Sequence, residues 1–364
     1  MSSAIGDTVK LSVFGESHGE AIGCVLSGLP AGEALDQEEI LTQMARRAPG
    51  KDKTATTRKE SDTPEIVSGL LEGRTTGAPL AMLIHNTNQR SGDYAELARL
   101  PRPGHADYTG YVRYHGFNDV RGGGHFSGRI TAPLVFTGAV CRQILKRRGI
   151  TVGGHVYAIA GAKDIPFDPL GVDASLLDRL AAVPFPLIDR EREAAMREQV
   201  EDARLQQDSV GGIVEVAACG LPAGLGSPMF DGIENKLAAL FFGIPAVKGV
   251  EFGDGFGFAA LRGSQANDPY TYTGDGEVIA ASNHNGGLLG GITNGMPLIA
   301  RLAVKPTSSI SQKQRTVDLV SGRDAELVVK GRHDPCIVPR AVPVAESMLA
   351  FGLLDRMESE RSWS

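Results

Sequence analysis

The sequence predicts an α+β protein, and two observations lead there. Segments of helical and strand character are mixed without the steady alternation that a doubly wound sheet requires. The 364 residues are 42% hydrophobic and 22% charged, which is enough apolar matter for a large core. No low-complexity linker divides the chain, whose length allows two domains or one large one.

The elements follow in order. "VKLSVFG" alternates Leu11 and Val13 with polar neighbours and reads as a strand. "ALDQEEILTQMARRAPG" reads as a helix that stops at Pro49-Gly50, and "TTGAPLAMLIHNT" as a turn and a buried strand. "TAPLVFTGAVCRQILKRRG" is a helix with Pro133 in its first turn, basic residues in its last and Gly149 as its stop. The Asp/Pro-rich stretch 160–190 reads as a surface excursion, followed by a charged helix begun by Asp189. "FDGIENKLAALFFG" is a helix with Asp231 as N-cap and Gly243 as stop. "MPLIARLAVKP" is a strand, and "VPVAESMLAFGLLDRMES" the closing helix.

Composition narrows the function. A net charge of −6 argues against nucleic acid and anionic membrane as partners. No apolar run approaches the ~20 residues that span a bilayer. "MSSAIGDTVKLSVFG" lacks the basic start and apolar core of a secretory signal. Cys24, Cys141, Cys219 and Cys336 lie far apart, without a CxxC pair, so a reducing cytoplasm is expected. No histidine pair has metal-ligand spacing on one helix, and no metal is expected.

"RGGGHFSGR", residues 121–129, fits either a plain tight turn or a phosphate cradle, and the residues alone leave both open. It is neither a GxxxxGK[ST] loop nor a GxGxxG fingerprint, because Ser127 stands where the third glycine belongs. "GESHG" matches the GxSxG nucleophile elbow, but "EAIGCVLSGLP" after it reads as a strand rather than the helix an elbow needs. Basic residues gather in "ARRAPGKDKTATTRK" and "KGRHDP", as a small polyanion would require. "KPTSS" and "SNHNGGLLGG" add hydroxyls, amides and backbone N–H groups. His18 and His105 stand out because glycine lies close to both and neither sits on an apolar stripe.

In this order the motifs "FGESHGEAIGCVLSGLPAG", "RPGHADYTG", "RGGGHFSGR", "GLPAGLG", "AVKGVEFGDGF", "LRGSQ", "SNHNGGLLGGI", "VKPTSSI" and "KGRHDPCIVPRAVPVAESM" resemble the chorismate synthase family over nearly the whole chain. The resemblance implies a β-α-β sandwich in one large domain over residues 1–364, assembled as a homotetramer. It also implies an anti 1,4-elimination of phosphate from 5-enolpyruvylshikimate 3-phosphate, with reduced FMN and no net redox change. His18 resembles the family's general acid, Ser17 a relay hydroxyl, His105 the histidine near flavin N1 and Asp334 the carboxylate near N5. By the same resemblance, the positions expected to bind FMN are His125, Phe126, Ser127, Ala246, Gly290, Lys305, Pro306, Thr307, Ser308, Ser309 and Arg332. The anion ligands it implies for the substrate are Arg47, Lys53, Arg58, Arg102 and Arg129. Where the commoner motif reads GGGRSSAR, His125 and Phe126 replace arginine and serine. Ala48 replaces the third arginine of RRRPG, and Pro245 the asparagine of INAVKG. NADPH is admitted as a reductant without tight binding. With no separate nucleotide fingerprint, an external reductant or flavin reductase is expected.

Overall fold

A computed structural model describes residues 3–48, 62–86, 94–329 and 333–361. The amino-terminal sheet contains β1 (Ala4–Ile5), β2 (Lys10–Gly15), β3 (Ala21–Ser27), β4 (Glu65–Ser68) and β5 (Leu80–His85). Their order across the sheet is β1-β2-β3-β5-β4, and every pair is antiparallel. The second sheet contains β6 (Thr151–Ile159), β7 (Ala162–Lys163), β8 (Gly212–Cys219), β9 (Val247–Phe252) and β10 (Leu298–Val304). It is also antiparallel, in the order β9-β10-β8-β6-β7.

Between the sheets lie four helices: α1 (Gln37–Arg47), α2 (Thr131–Arg147), α3 (Ile233–Phe242) and α4 (Val338–Arg361). Helix α2 packs on β3 and α4 packs on β6 and β8, so the helices share one apolar interior with both sheets. This is the expected α+β sandwich. The helical layer is laid down by local signals. Asp36 caps α1 by accepting from the N–H groups of Glu38 and Glu39 at 2.8 and 3.3 Å. Pro133 occupies the first turn of α2, and Gly149, with φ +79°, follows its end. Among the described residues no helix is long and apolar enough to cross a membrane.

Three expectations are corrected. Residues 160–190 are no mere excursion: Phe167, with Leu177 and Leu180 of the helix Ala174–Ala181, is buried against the outer face of the second sheet. Their apolar side chains outweigh the Asp/Pro punctuation. The N-cap of α3 is Gly232, not Asp231, whose carboxylate instead meets Lys236 at 2.7 Å and Arg356 at 3.2 Å. Asp189, expected to begin the next helix, caps the 3-10 turn Arg190–Arg192 instead, accepting from Glu191 N–H at 3.0 Å, and the α-helix Glu193–Leu205 follows with Arg192 at its N-cap.

Buried charge joins the layers. Glu346 of α4 is fully buried and accepts from Arg46 of α1 at 2.8 Å and from Arg142 of α2 at 2.6 Å. Burial alone would raise its carboxyl pKa, but the two guanidinium groups outweigh that and hold it below the usual range. Asp355 takes the backbone N–H groups of Asp7, Thr8 and Val9 at 2.9, 2.8 and 2.8 Å, fastening the amino-terminal turn to α4. Where α2 crosses α4, a Cβ on Gly138 would stand 2.1 Å from the Ser347 Cβ. Gly138→Val should therefore force the helices apart and cost about 3 kcal/mol or more. Urea unfolding checks this, and an unchanged midpoint contradicts it.

The second sheet carries a cross-strand charge ladder. The His155 ring, fully buried, lies 3.0 Å from Asp164 and 2.8 Å from Glu215, and Arg301 donates to Glu215 at 2.8 Å. Burial pushes the imidazolium pKa down, but hydrogen bonds to Asp164 and Glu215, with their charges, outweigh this and raise it. A raised folded pKa means that the ladder's stabilisation is complete below pH ~6.5 and is lost as pH rises through the folded value. The gap in thermal midpoint between wild type and His155→Gln should therefore narrow from pH 6 to 10. A gap that widens contradicts this assignment.

Candidate functional site

The glycine run is where the site begins. Gly122, Gly123 and Gly124 all have positive φ, at 59°, 86° and 53°, a backbone that side chains other than glycine rarely permit. A Cβ on Gly122 would lie 2.2 Å from His18 Nδ1 and Cε1 and 2.9 Å from Ser17 Oγ. A Cβ on Gly123 would lie 3.2 Å from His105 Cε1 and Nε2. The loop is thus a bare strip of backbone with His18 against one residue and His105 against the next. Gly124 O accepts from Ser17 N–H at 3.1 Å, which ties the two loops together.

His18 is buried in the turn between β2 and β3. A strand follows "GESHG", so Ser17 does not stand on a strand-to-helix elbow. Asn86 holds this turn by donating to Glu16 O and Gly19 O at 3.1 and 2.9 Å, and accepts from Arg129 Nε at 2.6 Å. Arg129 also meets Asp62 at 3.1 Å, and Arg47 pairs with the same carboxylate. Arg47 is buried, and burial lowers its guanidinium pKa against the raising effect of Asp62. Arg340 donates to Arg47 O at 2.9 Å and pairs with Asp334.

On the other side, Arg102 and His105 converge on Asp107, which begins the helix Asp107–Arg113. Burial pushes the Asp107 carboxyl pKa up, but hydrogen bonds from Arg102 and His105 prevail and hold it well below the usual range. Arg102 Nη1 donates to Ser309 Oγ at 3.1 Å, and Lys305 Nζ donates to Gly104 O at 2.9 Å. Burial, with Lys248 nearby, lowers the Lys305 pKa, a shift that a bound anion would oppose. Lys305 N–H donates to O of Ala246, a non-glycine residue at φ +73°. Pro306 packs toward Gly211, Ser308 lies beside Gly104, and Thr307 Oγ1 donates to Asp334 O at 3.1 Å.

These contacts close into a ring: Asp334, Arg340, Arg47, Asp62, Arg129, Asn86, the His18 turn, the glycines, His105, Asp107, Arg102, and back through 305–309 to Asp334. His125, Phe126 and Ser127 continue the glycine loop. His125 Nδ1 lies 2.8 Å from Gly15 O, which can only accept, and Nε2 lies 2.8 Å from Ser3 Oγ. Both ring nitrogens therefore already face protein atoms. Phe126 packs beside Gly110 and Tyr114, and Ser127 Oγ accepts from Arg129 N–H.

The hairpin that carries Gly290 packs on Ser227, Gly232 and Pro297, before the start of β10, whereas Lys305 follows the end of that strand. Lys53, Arg58 and Arg332 lie outside the described residues. Asp62, Asn86, Asp107 and Arg340 escaped the sequence reading. The arginines they meet were visible, but nothing local in the chain names a carboxylate or amide partner.

Gly122→Ala should displace His18 and lower turnover by roughly 10²-fold, the scale of an ångström misplacement at a reacting group. Gly128→Ala, whose Cβ enters open space, should leave turnover within about twofold. Equal kcat values for the two variants would contradict the role given to the loop.

The chorismate synthase family profile matches residues 9–357. A chorismate synthase of Thermococcus kodakarensis is 46% identical over 359 residues, with 98% of each chain covered. One of Chloroflexus aggregans is 44% identical over 366 residues, covering 100% of this chain and 98% of its own. A crystal structure of chorismate synthase superposes with a TM-score of 0.76 at 29% identity, covering 98% of this chain and 93% of that one.

Proposed function

The chain belongs to the chorismate synthase family and is an enzyme of the lyase class, and on that premise we propose that it converts 5-enolpyruvylshikimate 3-phosphate to chorismate with reduced FMN. The observation that carries this reading is the glycine loop with His18 against one residue and His105 against the next. Two titratable rings beside one bare backbone can serve the departing phosphate and the reduced cofactor.

The residues present fit the cofactor and the substrate. Arg102 and Lys305, with the hydroxyls of Thr307, Ser308 and Ser309, form a cationic, donor-rich wall suited to a phosphorylated flavin. Reduced FMN supplies transient electron donation and an acceptor for the lost hydrogen, which leaves no net oxidation. Five cations, Arg47, Arg102, Arg129, Lys305 and Arg340, face three carboxylates, Asp62, Asp107 and Asp334, around the ring. That excess suits a substrate with a phosphate and two carboxylates.

In this reading His18 gives a proton to the departing phosphate, with Ser17 as its relay hydroxyl. Arg47, Arg129, Lys53 and Arg58 hold the substrate's anionic groups. His105 takes up a proton beside the cofactor, and Asp334 passes on the proton lost from carbon. The whole chain acts as one domain, since residues from 17 to 340 meet in one ring. Exposed Phe117, Phe230, Phe256 and Tyr272 support assembly of copies as the family's tetramer. Free cysteines, three of the four buried, fit a cytoplasmic protein, and the lack of a dinucleotide fingerprint favours an external reductant over NADPH.

The test is anaerobic turnover with chemically reduced FMN, following chorismate absorbance. Many turnovers per flavin are expected. His18→Ala should lower kcat by roughly 10²–10⁴ with far less effect on KM. Stoichiometric flavin oxidation, or an unchanged kcat in the variant, overturns the mechanism.

A further inference from the structure

His105 sits in a turn folded around one carboxylate. Asp107 is buried, and both of its oxygens are taken by residues 102–105. Oδ1 lies 2.5 Å from His105 Nδ1 and accepts from Arg102 Nη2 at 2.8 Å. Oδ2 accepts from Arg102 Nε at 2.7 Å and from the Arg102 backbone N–H at 3.0 Å. Arg102 Nη2 also approaches the imidazole, at 3.2 Å from Nδ1 and 3.4 Å from Nε2.

Only one proton arrangement of the neutral ring satisfies this set. A guanidinium donates and cannot accept, so it cannot receive the Nδ1 proton. A bare Nδ1 would point its lone pair at a carboxylate oxygen 2.5 Å away. Nδ1–H donating to Asp107 removes that clash. Nε2 is then the bare nitrogen, on the ring edge that lies against Gly123.

We infer that Asp107 is a positioning residue: it binds the Nδ1 proton of His105 and so presents Nε2 as the acceptor toward the glycine loop. The inference rests on the proposed function only in holding that His105 acts during turnover. It assigns Arg102 a second duty. By occupying Oδ2 with two donors, Arg102 leaves Oδ1 as the oxygen for the ring and stops the carboxylate from rotating.

Asp107→Asn tests this, because an amide offers one acceptor oxygen. The two Arg102 donors at Oδ2 claim it, and the amide NH2 then faces Nδ1. The neutral ring should respond by carrying its proton on Nε2. In full-length enzyme labelled with 15N-histidine, the ring nitrogens are read across a pH titration, and the His105→Ala spectrum identifies the His105 signals. Wild type should show a protonated Nδ1 and a bare Nε2 in the neutral ring, and Asp107→Asn the reverse. The variant's kcat should fall by roughly 10²–10⁴, with KM within about threefold.

A wild-type ring protonated on Nε2 overturns the inference even if the variant fails to fold. So does a variant with an unchanged tautomer and full kcat. The failure of the functional reading looks different. An enzyme without chorismate synthase turnover, or a His105→Ala variant with full kcat, defeats that reading and leaves the tautomer measurement intact.

Discussion

Residues 122–124 must be glycine because nothing larger fits between the groups they separate. His18 would meet a Cβ at Gly122 at 2.2 Å, and Asp119 O would meet one at Gly124 at 1.9 Å. The positive φ angles add a conformational cost for any other residue. Once the run is bare, the β2–β3 turn and the 102–107 turn can both close on it. The ring of contacts described above depends on that closure. The sandwich serves it by fixing where its pieces arrive: β2 and β3 deliver His18, the start of α2 delivers Arg129, the end of α1 delivers Arg47 and the end of β10 delivers Lys305.

Three buried carboxylates follow one pattern. Glu346 and Asp62 each receive a pair of arginines, and Asp107 receives Arg102 together with the His105 ring. Burial of a lone carboxylate is costly, and a planar guanidinium repays part of that by forked hydrogen bonds. The pairs differ in consequence. Glu346 ties three helices far from the glycine loop, whereas Asp62 and Asp107 orient the cations and the ring that line it. Arg46 and Arg47 are chain neighbours and go separate ways because successive helical residues face about 100° apart.

Much of this was legible in the chain. The strand at Leu11 and Val13, the helix opened near Pro133 and the strand before Lys305 carry strong local signals and stand where expected. The motifs of the two histidines and the glycine run also identified the family. Partners across the fold were not legible. Arg46 read as one of a basic run for an anion, yet its anion is Glu346, 300 residues later inside an apolar helix. His125 read, by resemblance, as an FMN-binding position, and nothing in the sequence named Gly15 O as the partner of its Nδ1. The stretch 160–190 hid its burial because Phe167, Leu177 and Leu180 follow no sustained period. Such pairings are set by which sheet faces meet, and no window of sequence contains that information.

The central claim is that His18, at the departing phosphate, and His105, at the cofactor, serve one elimination across one strip of backbone. A double-mutant cycle on kcat/KM tests it most directly, with His18→Ala, His105→Ala and the double variant. If both serve one elimination, the double variant should fall short of the product of the single losses by more than about tenfold. Losses that multiply would contradict the account, because they would mean that the two histidines act independently.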